Sequence, residues 1–299
     1  MGRLSYRLLD VFTQTPLAGN PLAVFPDAAG LSGELMQRIA AELNLSETVF
    51  VTEGDAASRR YAVRIMTPKT ELPFAGHPTI GTAVALADPL AGQEKSLGVQ
   101  LIEPIGAIDL QVELESPGIG TARFVAPATP RRLETGASRE DVAALLGLEL
   151  EAVRPGAPRA WSAGVPFLCV GLTSADALAA IAFSSRIWQE RFARGPAPHI
   201  YAYHVGAKAP EEARARMFAP AMGIAEDPAT GAAAVAFAGE LAVVTGTSDG
   251  HLRSAIRQGE SMGRPSRLSL EVEVAAGAVT SVRLGGSAVI IGEGALTLP

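Results

Sequence analysis

Apolar and polar residues alternate along many short stretches of the chain. "IDLQVELE" (residues 108–115) and "RLSLEVEV" (267–274) place side chains of opposite character on opposite faces, as half-buried strands do. "YRLLDVFT", "NPLAVFP", "SETVFVTE", "YAVRIMTP" and the late "SAVIIGEGALTL" read as further strands. Helical spacing shows in "SGELMQRIAAEL", where Leu35, Ile39 and Leu43 follow a Ser32 cap, and in the short "SREDVAALLGL" behind Ser138 and "SADALAAI". Two segments break with both patterns. "FAGHPTIGTAVALA" (74–87) and "EDPATGAAAVAFAGEL" (226–241) are small and apolar on every face, which predicts helices buried all round. Alanines at 83, 85, 232, 233 and 236 would let strands wrap closely about them.

These two segments belong to an internal repeat. "AGNPLAV" resembles "AGVPFLCV", "RIMTP" resembles "RMFAP", and "HPTIG" resembles "DPATG", in the same order along the chain. The starts lie 145 (Ala18 to Ala163), 152 (Arg64 to Arg216) and 150 (His77 to Asp227) residues apart. Collinear matches at near-constant spacing predict two halves of one topology. The expected fold is α/β, of the α+β kind, with two pseudo-symmetric domains, each a rolled mixed sheet around a central helix. The joint falls in "APATPRRLETGAS", giving an N-terminal domain 1–125 and a C-terminal domain 126–299 whose last strand could pack back on the first.

Composition narrows the function classes. The formal charge of −6 on 299 residues leaves no basic face for nucleic acid or anionic lipid. Cys169 is alone, so no disulfide framework or multi-thiolate metal site is expected, which suits a reducing cytoplasm, and its apolar surroundings predict a buried strand residue. The opening residues lack the apolar core of a signal peptide. The longest apolar run, 232–244, is interrupted by Glu240 and falls short of the ~20 residues needed to span a membrane.

Candidate chemistry gathers at the starts of the two central helices. Pro78 and Pro228 suit the first helical position, so each helix is expected to begin immediately after His77 or Asp227. A helix N-terminus favours a carboxylate or phosphate, and Gly76, Gly81 and Gly231 would let backbone amides approach it. Asp227 alone would serve as an ordinary N-cap, but histidine is a poor cap, so a shared role for His77 and Asp227 points to holding a substrate across a cleft and exchanging protons with it. Glu226 reads as solvated or structural. Glu47 falls in strand phase with Val49 and Val51; a carboxyl on an apolar face suits general acid/base work, whereas on an edge strand it would face water. His199 and His204 are five apart on an expected strand and point to opposite faces, which is wrong for a shared metal; no metal site is expected. Nucleophile elbows, Walker loops and dinucleotide fingerprints are absent.

The motifs "DVFTQTPLAGNPLAVF", "AAELNLSETVFV", "TELPFAGHPTIGTA", "RMFAPAMGIAEDPATGAAA", "QGESMGRPS" and "GGSAVIIGEG" together resemble the PhzF-like family, which has the diaminopimelate-epimerase fold. The resemblance spans residues 10–294. It implies a cofactor-independent isomerase like the one that acts on trans-2,3-dihydro-3-hydroxyanthranilate in phenazine biosynthesis. Glu47 would be its acid/base, with His77 and Asp227 holding and polarising a small carboxylated substrate. Asn20, the amides near Gly76 and Gly231, and Ala232 would line the binding site, and the protein would be a homodimer. Where the phenazine enzymes commonly have serine after "EDPATG", this chain has Ala232, which puts the substrate in question. Two other readings stay open: a racemase or epimerase of the same fold, whose paired cysteines are missing around Ala75 and Thr230, and a non-catalytic metabolite-binding or protein-interaction member.

Overall fold

The computed structural model describes residues 2–90, 94–206 and 209–298. The chain forms two compact units, Met1–Pro127 with Gly285–Pro299, and Ala128–Leu284.

The first unit runs β1 (Gly2–Val11), β2 (Asn20–Phe25), α1 (Gly33–Leu43), β3 (Glu47–Asp55), β4 (Arg60–Met66), β5 (Glu71–Leu72), α2 (Gly76–Ala87), β6 (Ser96–Glu103), β7 (Gly106–Ser116) and β8 (Ile119–Val125). Strand pairing is antiparallel for β1–β2, β3–β4, β6–β7 and β7–β8, and parallel for β2–β3 and β4–β6. The parallel pairs need crossovers, and α1 and α2 supply them. Helix α1 is capped by Ser32, whose hydroxyl accepts from the Leu35 amide. It lays Met36, Ile39 and Ala40 on Ala23, Phe25, Phe50 and Met66.

The second unit runs β9 (Arg131–Leu133), α3 (Arg139–Leu146), β10 (Arg159–Ser162), β11 (Pro166–Gly171), α4 (Ala175–Ala179), α5 (Ser185–Arg191), β12 (His199–Gly206), β13 (Ala209–Ala219), β14 (Ile224–Asp227), α6 (Gly231–Thr245), β15 (Gly250–Gln258) and β16 (Ser266–Ala275). Its pairings repeat those of the first: β10–β11 antiparallel, β11–β12 parallel, β12–β13 antiparallel, β13–β15 parallel, β15–β16 antiparallel. Ser138 closes a capping box with Asp141 at the start of α3. The last strand, β17 (Ala278–Leu298), ends against β1, with Gly2 opposite Leu298 and Val11 opposite Ala288. Because β17 also pairs with β8, the ladder of the first unit closes on itself as a mixed barrel.

Helix α2 lies inside that barrel, in contact with β1, β2, β3, β6, β7 and β8, and every residue of it but Leu86 is buried. In the second unit α6 touches β9, β10, β11 and β16 and is buried from Ala233 through Ala242. Close approach explains the small residues. A Cβ on Gly81 would stand 2.6 Å from Leu22 Cδ2 and 2.7 Å from Val11 Cγ2, and one on Gly239 would stand 2.4 Å from the Trp161 ring. Packing against the wall of the barrel thus accounts for Gly81, rather than the expected approach of its amide to a ligand.

Both central helices begin elsewhere than their prolines suggest. Ala75 is the N-cap of α2, so His77 lies within the first turn and Pro78 is the third helical residue rather than the first. In the second unit β14 continues through Asp227, Thr230 is the N-cap, and Pro228 lies outside the helix. Any first-turn position tolerates a proline, because the amides there have no intrahelical acceptor, so Pro78 could not fix the start of α2; Pro228 falls in the connection between β14 and α6.

Candidate active site

In the first unit, three of the expected residues meet at the N-terminal turn of α2. The loop before β2 folds back tightly: the Leu17 amide donates to Asp10 Oδ2 at 2.7 Å, and Gly19, at φ +66°, passes so close that a Cβ there would stand 2.4 Å from the Val11 carbonyl oxygen. This sets Asn20, fully buried, at the head of β2 with its Nδ2 3.5 Å from His77 Nδ1. In the parallel β2–β3 ladder Leu22 is opposite Glu47, which begins β3. Phe50 packs under α1, so Glu47, Val49 and Val51 take the opposite face, toward α2. Glu47 Oε2 comes to 3.4 Å from His77 Nε2.

Burial sets the character of this pair. His77 is 4% exposed, and desolvation pushes its imidazole down to about 3, against a backbone hydrogen bond with Pro21 that pulls upward. The ring is therefore neutral at physiological pH. Its Nε2 makes no aligned hydrogen bond among the described residues, the contact with Glu47 being off the hydrogen-bond direction. The Glu47 side chain keeps 12% of its surface open. A partly open carboxyl beside a buried, neutral, unsatisfied imidazole nitrogen can take a proton from one atom of a bound molecule while the ring holds another.

The second unit builds a different group at the start of α6. Asp227 is buried at the end of β14, opposite Met217, and its Oδ2 accepts from the Thr230 hydroxyl at 2.5 Å. Gln258, the last residue of β15 and 1% exposed, clamps the connection. Its Nε2 donates to the Asp227 carbonyl at 2.8 Å and to Thr230 Oγ1 at 3.1 Å, while its Oε1 lies 3.4 Å from the Thr230 amide. Gly259 follows at φ +77°, where a Cβ would meet the Arg264 carbonyl at 2.3 Å and that of Pro228 at 2.7 Å. Gly231 is buried, and Ala232 is the one residue from Gly231 to Ala242 that is not. Glu226 pairs bidentately with Arg216 at 2.8 Å for each bond, a hairpin brace that Arg64 and Glu71 repeat in the first unit.

Reasoning from sequence missed Thr230 and Gln258, and also Glu103, buried at the end of β6 in contact with Thr79. Glu103 had a signal, since it continues the apolar phase of Leu97, Val99 and Leu101. Gln258 and Asp227 are 31 residues apart, and only the ladder joins them. Cys169 is buried in β11. Among the described residues, no group of three or more His, Cys, Asp or Glu side chains is placed to hold a metal ion, and no helix is long and apolar enough to cross a membrane.

Comparison with known proteins agrees with this architecture. The family model described as phenazine biosynthesis-like protein, PhzC-PhzF, matches residues 9–294. An uncharacterized isomerase of Mesorhizobium japonicum is 40% identical over 98% of both chains. The trans-2,3-dihydro-3-hydroxyanthranilate isomerase of Pseudomonas chlororaphis is 36% identical over 98% of this chain and 99% of its own. A PhzF-family protein of Bacillus anthracis, 24% identical, superposes over 100% of both chains with a TM-score of 0.86, which bears out the expected fold class. With its motifs, its barrel around a central helix and these relatives, the chain belongs to the PhzF family of phenazine biosynthesis-like proteins.

Proposed function

We propose that the protein is an isomerase that moves a proton between carbons of a small carboxylated substrate by general acid/base catalysis. Glu47 removes the proton and returns it elsewhere on the same molecule. His77, neutral and buried, hydrogen-bonds the substrate through the nitrogen that the protein leaves unsatisfied. Asp227, held by Thr230, serves in binding and polarising it, and backbone amides near Gly76 and Gly231 receive its carboxylate. The reaction calls on no metal or organic cofactor. The observation that carries this assignment is the 3.4 Å approach of Glu47 Oε2 to His77 Nε2, with one carboxyl partly open and one ring nitrogen lacking an aligned bond. The names of the curated relatives, isomerases at 36% and 40% identity, support the reaction class.

A racemase of the two-thiol kind is disfavoured by the residues themselves. Ala75 and Thr230 are the N-caps of α2 and α6, equivalent places in the two units, and neither carries a thiol.

The test is solvent exchange. Unsaturated and cyclic carboxylic acids, trans-2,3-dihydro-3-hydroxyanthranilate among them, are incubated in D₂O and read by mass spectrometry for carbon-bound deuterium. Wild type should label at least one, and Glu47→Gln, nearly isosteric, should lose on the order of 10²–10⁴-fold in labelling rate while keeping its fold. Labelling at the wild-type rate by Glu47→Gln would remove Glu47 from the chemistry. No labelling of any acid by wild type would favour the non-catalytic binding reading.

A further inference from the structure

The barrel of the first unit contains a second buried carboxyl that the reaction above does not use. Glu103 is 4% exposed, its Oε1 lies 2.6 Å from Thr79 Oγ1, and its Oε2 has no hydrogen-bond partner among the described residues. Thr79 Oγ1 is at the same time 2.7 Å from the Ala75 carbonyl oxygen, which can only accept. A threonine hydroxyl has one proton to give. If Glu103 were ionised, one of these two contacts would set bare lone pairs against each other at hydrogen-bond distance. Both become hydrogen bonds when Glu103 is a carboxylic acid: its O–H donates to Thr79, and Thr79 donates to Ala75. The unpartnered Oε2 is then a carbonyl oxygen, far cheaper to leave dry than half of a carboxylate.

Ala75 is the N-cap of α2, and its carbonyl already accepts from the Thr79 amide at 3.1 Å. The chain of hydrogen bonds from Glu103 through Thr79 to Ala75 therefore spans the turn on which His77 sits. We propose that Glu103, as a neutral acid, is a positioning residue that fixes this turn and with it the approach of His77 to Glu47. Its charge state follows from its surroundings. Burial raises its carboxyl to about 8, opposed by the Thr79 hydroxyl. The titratable side chains of the elements packed against β6 are His77 on α2, Arg60, Tyr61 and Arg64 on β4, and Asp109, Glu113 and Glu115 on β7; none of them contributes to that shift. On ionisation Glu103 draws the Thr79 proton to itself, the hydroxyl gives up Ala75, and the turn loses one of its two bonds to that carbonyl.

The inference rests on the proposed role of His77, so its test uses no turnover. In the full chain labelled with ¹³C-glutamate and ¹⁵N-histidine, the four histidines are told apart by the loss of one signal in His77→Gln. A single glutamate carboxyl should titrate near pH 8 and be missing from Glu103→Gln. The His77 ring signals should move with the same midpoint in wild type. In Glu103→Gln, whose amide donates to Thr79 at every pH, they should hold their low-pH positions through pH 9. Thr79→Val breaks the chain and should displace them at every pH. Titration of Glu103 below pH 6 would overturn the proposal, as would His77 signals indifferent both to pH near 8 and to Thr79→Val. The wild-type titration stands without either variant, and a chain without isomerase activity would still show where Glu103 titrates and whether His77 follows it.

Discussion

Glu240 is the most deeply buried carboxyl of the second unit, and its partners predict what its loss costs. It lies on α6 with no exposed surface, and Arg159 Nη1 at 2.8 Å and the Tyr203 hydroxyl at 2.5 Å both donate to its Oε1, while Trp161 Nε1 donates to Oε2 at 2.9 Å. In Glu240→Gln an amide group replaces one of these oxygens. If the amide nitrogen faces Trp161, the indole N–H is stranded; if it faces the other way, Tyr203 can turn to accept but Arg159 cannot. One hydrogen bond to a charged acceptor is lost in either pose, worth about 2 kcal/mol. Glu240→Leu strands the indole and the phenol together and leaves Arg159, 19% exposed, to find water; breaking a buried pair in this way costs about 3–5 kcal/mol. Both tryptophans, Trp161 and Trp188, lie in the second unit, so their emission in urea reports on that unit and avoids treating the two units as one transition. With a denaturant slope of about 2 kcal/mol per molar, the glutamine variant should lower the urea midpoint by about 1 M and the leucine variant by more. A glutamine variant within about 0.5 kcal/mol of wild type, or a leucine variant as stable as wild type, would show that the network merely breaks even against desolvation.

Ala232, half-buried in the opening turn of α6, bears on substrate choice. If the protein is a weakened relative of the phenazine enzymes, Ala232→Ser should restore a hydrogen bond worth about 1.5–3 kcal/mol and raise turnover of trans-2,3-dihydro-3-hydroxyanthranilate roughly ten- to hundredfold; efficient turnover by wild type would instead show that the alanine is no barrier. Cys169 is buried, and desolvation, with Glu240 adding to it, raises its thiol far above the ordinary range, so iodoacetamide should leave the folded protein unlabelled and react once it is unfolded. Rapid labelling of the native chain, blocked by a carboxylic acid ligand, would reopen thiol chemistry.

Structure is legible in this sequence where one residue answers to one local pattern. Alternation finds β7 and β16 because one face of each is wet, and all-round apolarity finds α2 and α6 because nothing but burial tolerates it. Legibility ends where the deciding partner is distant. The start of α6 depends on β14 pairing with β13 through Asp227 and on Gln258 reaching back from β15, neither of which is written near Pro228. Gly81 sits close to His77 in sequence, which suggests ligand approach, whereas its helical position turns it toward Val11 and Leu22 on the wall. Glu47 and Glu103 carry the same signal, a carboxyl in the apolar phase of a strand. The family resemblance points to the first alone, and only the doubly engaged Thr79 hydroxyl marks the second.

His77 and Glu103 act on the stability of the first unit with opposite signs, and together they predict its pH profile. The folded value of His77, about 3, is below its ordinary 6.5, so its contribution is complete above pH 6.5 and is lost as the pH falls toward 3, because the unfolded chain binds a proton that the folded one refuses. Glu103 is raised from 4.5 to about 8, so its contribution is complete below pH 4.5 and is lost as the pH climbs to 8, because the folded chain keeps a proton that the unfolded one releases. Each limb has a slope of about 1.4 kcal/mol per pH unit and spans some ~5 kcal/mol at most. From pH 3 to 4.5 only His77 acts and stability rises; from 4.5 to 6.5 the two slopes cancel; from 6.5 to 8 only Glu103 acts and stability falls. Other carboxylates, such as Glu71 held low by Arg64, add to the acid limb, so the quantity to measure is the difference between wild type and a variant. Hydrogen exchange of the α2 amides, corrected for intrinsic rates, supplies it locally. Glu103→Gln should abolish the fall above pH 6.5 and leave a rise running through the region where wild type is level, while His77→Gln should turn that level region into a continuous descent from pH 4.5. A wild-type profile that keeps rising to pH 8, unchanged by Glu103→Gln, would mean that Glu103 is ionised in the folded protein, and the proton count around Thr79 would then have to be wrong.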